Sequence, residues 1–211
     1  MGPEIEKKLG VTTDSVAWLK RREDFYGKAF GPIQQPGIFH WFDDGDPHID
    51  VYVLTPHKRK GETLLITGGM SDRTQPGVSQ VDAGAPPRVE ILTHVSAKMS
   101  GDGLKCVVFA LRELASLPFS FGVKIADGTL VKGSRPIMPG SSLWHAAITA
   151  EVLPPGSFSV DGTRVRFMTV EFLTPQELNW AVDAGGSAVF RHLRDHRVSA
   201  VLDPQRLSTI A

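Results

Sequence analysis

The sequence has a single cysteine, no excess of charge of either sign and no long apolar run, and each shortage removes a class of protein. Cys106 alone allows neither an internal disulfide nor a cysteine-based zinc cluster. Lys plus Arg and Asp plus Glu both number 23, so no basic surplus marks a nucleic-acid-binding chain or a polybasic membrane anchor. The longest stretch without Asp, Glu, Lys or Arg, Pro136 to Ala150, contains Pro139, Gly140 and His145. It falls short of the about 20 apolar residues a membrane span needs. Met1-Gly2-Pro3-Glu4-Ile5-Glu6 is acidic where a signal peptide is basic and then apolar, and Glu6 stands where a myristoylation motif takes Ser or Thr. These absences point to a soluble, cytoplasmic protein with neither a nucleic acid nor a membrane as partner.

Catalytic signatures are short as well. Gly128 and Gly133 have P-loop separation, but Ser134-Arg135 follow in place of Lys-Ser/Thr. Gly101-Asp102-Gly103 continues into Leu104-Lys105-Cys106 and breaks the dinucleotide pattern, and neither Gly-x-Ser-x-Gly nor His-Glu-x-x-His occurs.

What is present is enough for a core. With 211 residues, 41% of them hydrophobic, the chain fits one domain over 1–211 at about 150 residues per domain, or two packed halves, 1–120 and 121–211. A first helix is expected from Thr12-Thr13-Asp14 to Phe30, with Leu19, Tyr26 and Phe30 near one stripe, stopped by Gly31-Pro32. Strands are expected over Ile38–Phe42 and Ile49–Leu54, the latter with Ile49, Val51 and Val53 on one face. Thr63–Thr67 reads as a short buried strand ending at Gly68-Gly69, Ser71–Pro87 as a long polar loop and Arg88–Val95 as a strand.

Helical spacing of apolar residues predicts a helix over Leu104–Leu117. Strands follow near Ala146–Val152 and Arg164–Phe172. Thr174-Pro175-Gln176-Glu177 is a capping box with proline at the first helical position, opening a helix to Ala184. Gly185-Gly186 ends it, and Ser187 can cap a last helix to His196. Without regular β-α alternation the fold class is α+β, with mixed, mainly antiparallel sheets and packed helices.

Three clusters carry candidate chemistry. Asp43, Asp46, His48 and Asp50 could hold a divalent cation and support a metal-dependent hydrolase, although the spacing fits no EF-hand and suits a solvated turn equally. His192 and His196 stand at zinc-compatible i, i+4 spacing but among Arg191, Arg194 and Arg197. Cys106 lies on an apolar helix and reads as an inert buried thiol. None is a catalytic constellation, so no catalytic residue, no metal and no cofactor is assigned.

A resemblance adds to this reading. His48-Ile49-Asp50-Val51-Tyr52-Val53, followed by Thr67-Gly68-Gly69-Met70-Ser71-Asp72, resembles the suppressor-of-fused domain family, whose hallmark is a D-V/I-x-V strand and then a strand running into T-S-G-M-S-D. Arg88-Val89-Glu90-Ile91, Leu111-Arg112-Glu113-Leu114-Ala115 and Phe172-Leu173-Thr174-Pro175-Gln176-Glu177 agree in order. Gly68 departs from the usual serine, and the segment at Gly122-Val123 lacks a histidine common in relatives.

The resemblance implies a non-enzymatic domain that binds a protein or an extended peptide segment. It is closest to the prokaryotic stand-alone type, whose members are associated with toxin systems as immunity proteins. The candidate partner-binding residues are Gly69, Met70, Ser71, Asp72, Glu90, His48 and Asp50. Gly68-Gly69 permits positive φ or close backbone approach, and serves equally as a turn that buries Met70. Glu90 either faces solvent or satisfies backbone amides of the Gly68–Asp72 turn.

Overall fold

The computed structural model describes residues 13–35, 49–78, 85–99, 101–150, 155–160 and 162–210. Helix α1 spans Thr13–Ala29, and strands β1 (Ile33–Gln35), β2 (Asp50–Leu54) and β3 (Glu62–Gly68) follow. Among the described residues a 3-10 turn, Met70–Asp72, lies between β3 and β4 (Val89–Ser96). Helix α2 (Gly101–Phe121) leads to β5 (Thr129–Val131), β6 (His145–Thr149), β7 (Ser157–Val160) and β8 (Thr163–Leu173). Helices α3 (Pro175–Ala184) and α4 (Ala188–Asp195) precede a two-residue strand, β9 (Val201–Leu202).

All strands join one mixed sheet in the order β1-β2-β3-β4-β8-β6-β5, with β7 on β8 and β9 on β4. Among the described residues β4–β8 and β4–β9 are parallel, and the other pairs are antiparallel. The fold is therefore α+β. Val51 and Val53 face one core with Val107, Leu111 and Leu114 of α2, while Tyr52 and Leu54 turn to a second core with Tyr26 of α1. Strand alternation thus divides the apolar residues of β2 between both faces, and a strand covered on both sides reads as a continuous apolar run. A third cluster, Ala147, Leu173, Ala181, Val189 and Leu193, seats α3 and α4.

The capping box at Thr174 forms as expected: its hydroxyl accepts from the Glu177 amide at 3.3 Å, and Glu177 accepts from the Thr174 amide at 2.9 Å. Helix α2 runs further than expected, through Pro118, and ends where Gly122 takes φ +68. Ser187 does not cap α4: its own backbone is helical, and its hydroxyl serves Asp127 instead. The strand expected over Ile38–Phe42 lies outside the described residues. Strands β1, β5, β7 and β9 are too short for alternation to announce them.

Candidate functional site

The turn after β3 is organised around one buried carboxylate. Gly69 adopts φ +115, a left-handed conformation that disfavours any side chain. This aims the next amides inward, and the Gly69 and Ser71 N–H groups each donate to Glu90 Oε1 at 3.0 Å. The Ser71 hydroxyl donates to the same oxygen at 2.6 Å. Glu90 Oε2 lies 2.8 Å from Thr67 Oγ1, which in turn accepts from the Ile91 amide at 2.8 Å. Glu90 has no exposed surface. Burial pushes its carboxyl pKa up, and Arg22 together with the Ser71 hydroxyl and amide offset part of that rise.

Helix α1 closes the turn from the second face. Arg22, 2% exposed, donates to Asp72 Oδ1 at 2.5 Å, while the Asp72 side chain remains 42% exposed. Tyr26 OH donates to the Thr67 carbonyl at 2.8 Å. Burial acts to lower the Arg22 pKa, and Asp72 and Glu90 outweigh it, so the guanidinium stays charged. Arg88 donates to the Ser71 carbonyl, and its guanidinium lies 5.7 Å from the Trp18 ring centroid. Asp50, at the start of β2, is 1% exposed, and burial pushes its pKa up to about 7 against the pull of Arg22.

The loop leaving this turn is tied to the far end of the sheet by Gln75. Its Nε2 donates to the Ile125 carbonyl at 3.0 Å and its Oε1 accepts from the Ile125 amide at 2.8 Å. The side chain thereby imitates a strand partner for the segment that enters β5.

Gly69, Met70, Ser71, Asp72 and Glu90 come together as one unit, with Asp50 nearby in β2, and Glu90 takes the amide-satisfying role rather than the solvent-facing one. Met70, Ser71, Glu90 and Asp50 are buried, so they shape the turn from within, and Asp72 is the one of this group that reaches solvent. His48, Asp43 and Asp46 lie outside the described residues. Among the described residues no group of three metal-ligating side chains occurs.

His192 Nε2 contacts Thr209 Oγ1 at 3.0 Å and its ring packs at a tilt between Trp180 and His196, a packing role for the histidine pair. Cys106 is half-buried, more accessible than expected. Another buried carboxylate, Glu177, takes two bonds from Arg206 (2.6 and 2.7 Å) and two from Thr209 (3.0 and 2.9 Å). Burial would raise its pKa, but the hydrogen bonds from Arg206, Thr174 and Thr209 hold it down at about 2. Glu177 fastens the last described residues across the start of α3.

Sequence reading missed Arg22, Thr67, Gln75 and Arg88. Thr67 and Arg88 stood in the segments that carry the resemblance without a role being assigned to them, and Arg22 left a signal of its own: with Leu19, Tyr26 and Phe30 it keeps 3, 4, 4 spacing, a charged residue in the middle of an apolar stripe.

A family model described as Suppressor of fused protein (SUFU) matches residues 45–207, most of the chain and all of this site after α1. The chain belongs to the suppressor of fused family. The structure of a suppressor-of-fused homologue from Neisseria gonorrhoeae aligns with TM-score 0.61 at 16% identity, covering 92% of this chain and 94% of that one. The Sufu–Fu complex aligns with TM-score 0.62 at 14% identity, covering 92% and 91%. Drosophila Suppressor of Fused aligns with TM-score 0.61 at 15% identity, covering 90% of this chain and 50% of that one. At such identities the likeness is one of fold. No curated protein matches the sequence. Among the described residues of this suppressor-of-fused chain, no helix is long and apolar enough to cross a membrane.

Proposed function

We propose that this suppressor-of-fused chain is a non-enzymatic, protein-binding domain that takes a partner segment in extended form. The observation that carries the reading is the commitment of Glu90. Gly69, Ser71 and Thr67 engage both of its oxygens, so it builds a rigid turn and is not poised to move a proton to or from a substrate. The turn presents Asp72 at the surface while Met70 plugs the core beneath it. A preorganised turn beside a sheet suits recognition of main chain, where ladder hydrogen bonds give affinity and side-chain pockets give specificity.

Family membership supports the same reading, and one structural neighbour is itself a complex between Sufu and Fu. In a cell, the role in line with the prokaryotic stand-alone type is neutralisation of a toxin or sequestration of a partner protein in the cytoplasm. The test is a native pull-down with the tagged chain, followed by reconstitution with the purified partner. A stable complex that depends on Asp72 is expected. A chain that retains no protein, but hydrolyses ester substrates with tightly bound metal in an Asp50-dependent way, would overturn the reading in favour of the hydrolase.

A further inference from the structure

We infer that the C-terminal segment 198–210 is a proton-controlled strap, clasped over the sheet while the Glu171 carboxyl is neutral and let go when that carboxyl ionises. The inference does not depend on how the chain meets a partner. Strand β9 lies in this segment and pairs with β4 at His94 and Val95, beyond the point where β4 and β8 part at Leu92 and Thr169. Two ladder residues hold little by themselves, so the strap depends on side chains. The Ser142 amide donates to the Pro204 carbonyl at 3.2 Å, and the Ser141 hydroxyl donates to the same oxygen at 2.8 Å. Beyond these, Arg206 and Thr209 close on Glu177 at the start of α3.

Beneath the strap is a cavity of about 10 Å³, room for one water molecule. Its wall includes Thr93 of β4, Glu171 of β8, and Ser199, Asp203 and Arg206 of the strap. Arg206 is already committed. Its terminal N–H groups go to both Glu177 oxygens at 2.6 and 2.7 Å, to the Phe172 carbonyl at 2.8 Å and to the Leu207 carbonyl at 3.3 Å. The Glu171 side chain makes no hydrogen bond among the described residues, and burial pushes its carboxyl up to about 7 against the pull of Arg206.

The other elements around Glu171 bring no countercharge. Ala147 stands opposite it on β6, and α4 packs Val189 and Leu193 into the same apolar cluster. His192 of α4 touches the strap elsewhere, at Thr209. An ionised Glu171 is therefore a second carboxylate beside a guanidinium held by the first, with Asp203 of like sign in the same wall. It either stays buried and unpaired or draws Arg206 off Glu177, and release of the strap relieves both. The strapped state binds the Glu171 proton more tightly than the released state, whose carboxyl has its ordinary value of 4.5. Strapping is thus favoured at low pH and weakens as pH rises from about 4.5 through about 7.

Amide hydrogen exchange of the full chain tests this, expressed as protection factors so that base catalysis of exchange itself is divided out. The strap is read at Thr209, whose amide donates to Glu177, and at Ser142, and Leu65 in the middle of β3 is the reference. Between about pH 5 and about pH 8, Thr209 and Ser142 are expected to lose protection about tenfold or more relative to Leu65. Glu171→Gln, fixed in the neutral form, is expected to lose none of it over the same range. His192 and Asp203 are unchanged in that variant, so the difference from the parent belongs to Glu171. Glu171→Ala carries the same expectation if Glu171→Gln does not fold. Strap protection that is constant with pH in the parent, that falls only in step with Leu65, or that falls equally in the variant overturns the inference.

Discussion

Ser71 meets Glu90 twice, with its amide at 3.0 Å and its hydroxyl at 2.6 Å, both on the same carboxylate oxygen. A single residue therefore closes the turn through main chain and side chain together, and the stability of the turn depends on what stands at position 90. Glu90→Leu keeps approximate volume but strands the Gly69 and Ser71 donors, and each buried unsatisfied group costs about 1–3 kcal/mol. Glu90→Gln retains a carbonyl oxygen for those donors and is expected to cost about 1 kcal/mol. Urea unfolding of the two variants checks the ordering, and an equal loss in both would contradict it.

Met70, 1% exposed, fills the core beneath the turn. Met70→Ala should cost about 2–5 kcal/mol through lost burial and the cavity left behind, read as a lowered denaturation midpoint.

Gly68 stands where the structure leaves no room for a side chain. A Cβ at this position would stand 2.5 Å from the Tyr52 ring and 2.8 Å from Arg22 Nε. Buried Tyr52 and Arg22 occupy the space a serine side chain needs. Gly68→Ser should destabilise the chain by about 1–3 kcal/mol, as overpacking does. A Gly68→Ser protein as stable as the parent would show that Arg22 is not seated there.

Two buried acids give pH effects of opposite sign. Asp50 is raised by burial from 3.8 to about 7, so the folded state holds its proton more tightly than the unfolded state. Its contribution is greatest at low pH and declines as pH rises from about 4 through about 7. Asp50→Asn, fixed in the neutral form, should be the more stable protein at pH above about 7 and should flatten that decline. Glu177 is held down from 4.5 to about 2 despite its burial, so its contribution is present above about 4.5 and lost as pH falls towards about 2. Arg206→Ala, which leaves this carboxylate buried without its cation, should cost about 3–5 kcal/mol at neutral pH. Denaturation midpoints of both variants across pH check both signs.

The elements that declared themselves in the sequence were those whose signals are local. The Thr174–Glu177 capping box needs only four consecutive residues, and α3 starts where they place it. Alternation along Ile49–Leu54 correctly divides Val51 and Val53 from Tyr52 and Leu54, because a pleated strand enforces it. The Gly69–Asp72 turn was legible as a pattern, and its dependence on Glu90 was one of two roles the sequence left open. Gln75 was not legible, because its partner Ile125 is 50 residues away and nothing local marks a buried glutamine. Pro118 looked like a helix end, since a proline lacks the donor an interior position uses. It is tolerated inside α2 as a buried residue one turn before Gly122.

The most direct test of the central claim, that the turn is held from within by Glu90 and meets a partner through Asp72, uses one preparation of Asp72→Ala for two measurements. The variant loses one bond to Arg22, whose guanidinium keeps Glu90 as a charge partner, so stability should fall by about 0.5–2 kcal/mol. Affinity for the partner recovered in the pull-down should fall about tenfold or more, the loss expected of a side chain at the centre of an interface. A destabilised Asp72→Ala protein that still binds its partner with parental affinity once folded would contradict the account.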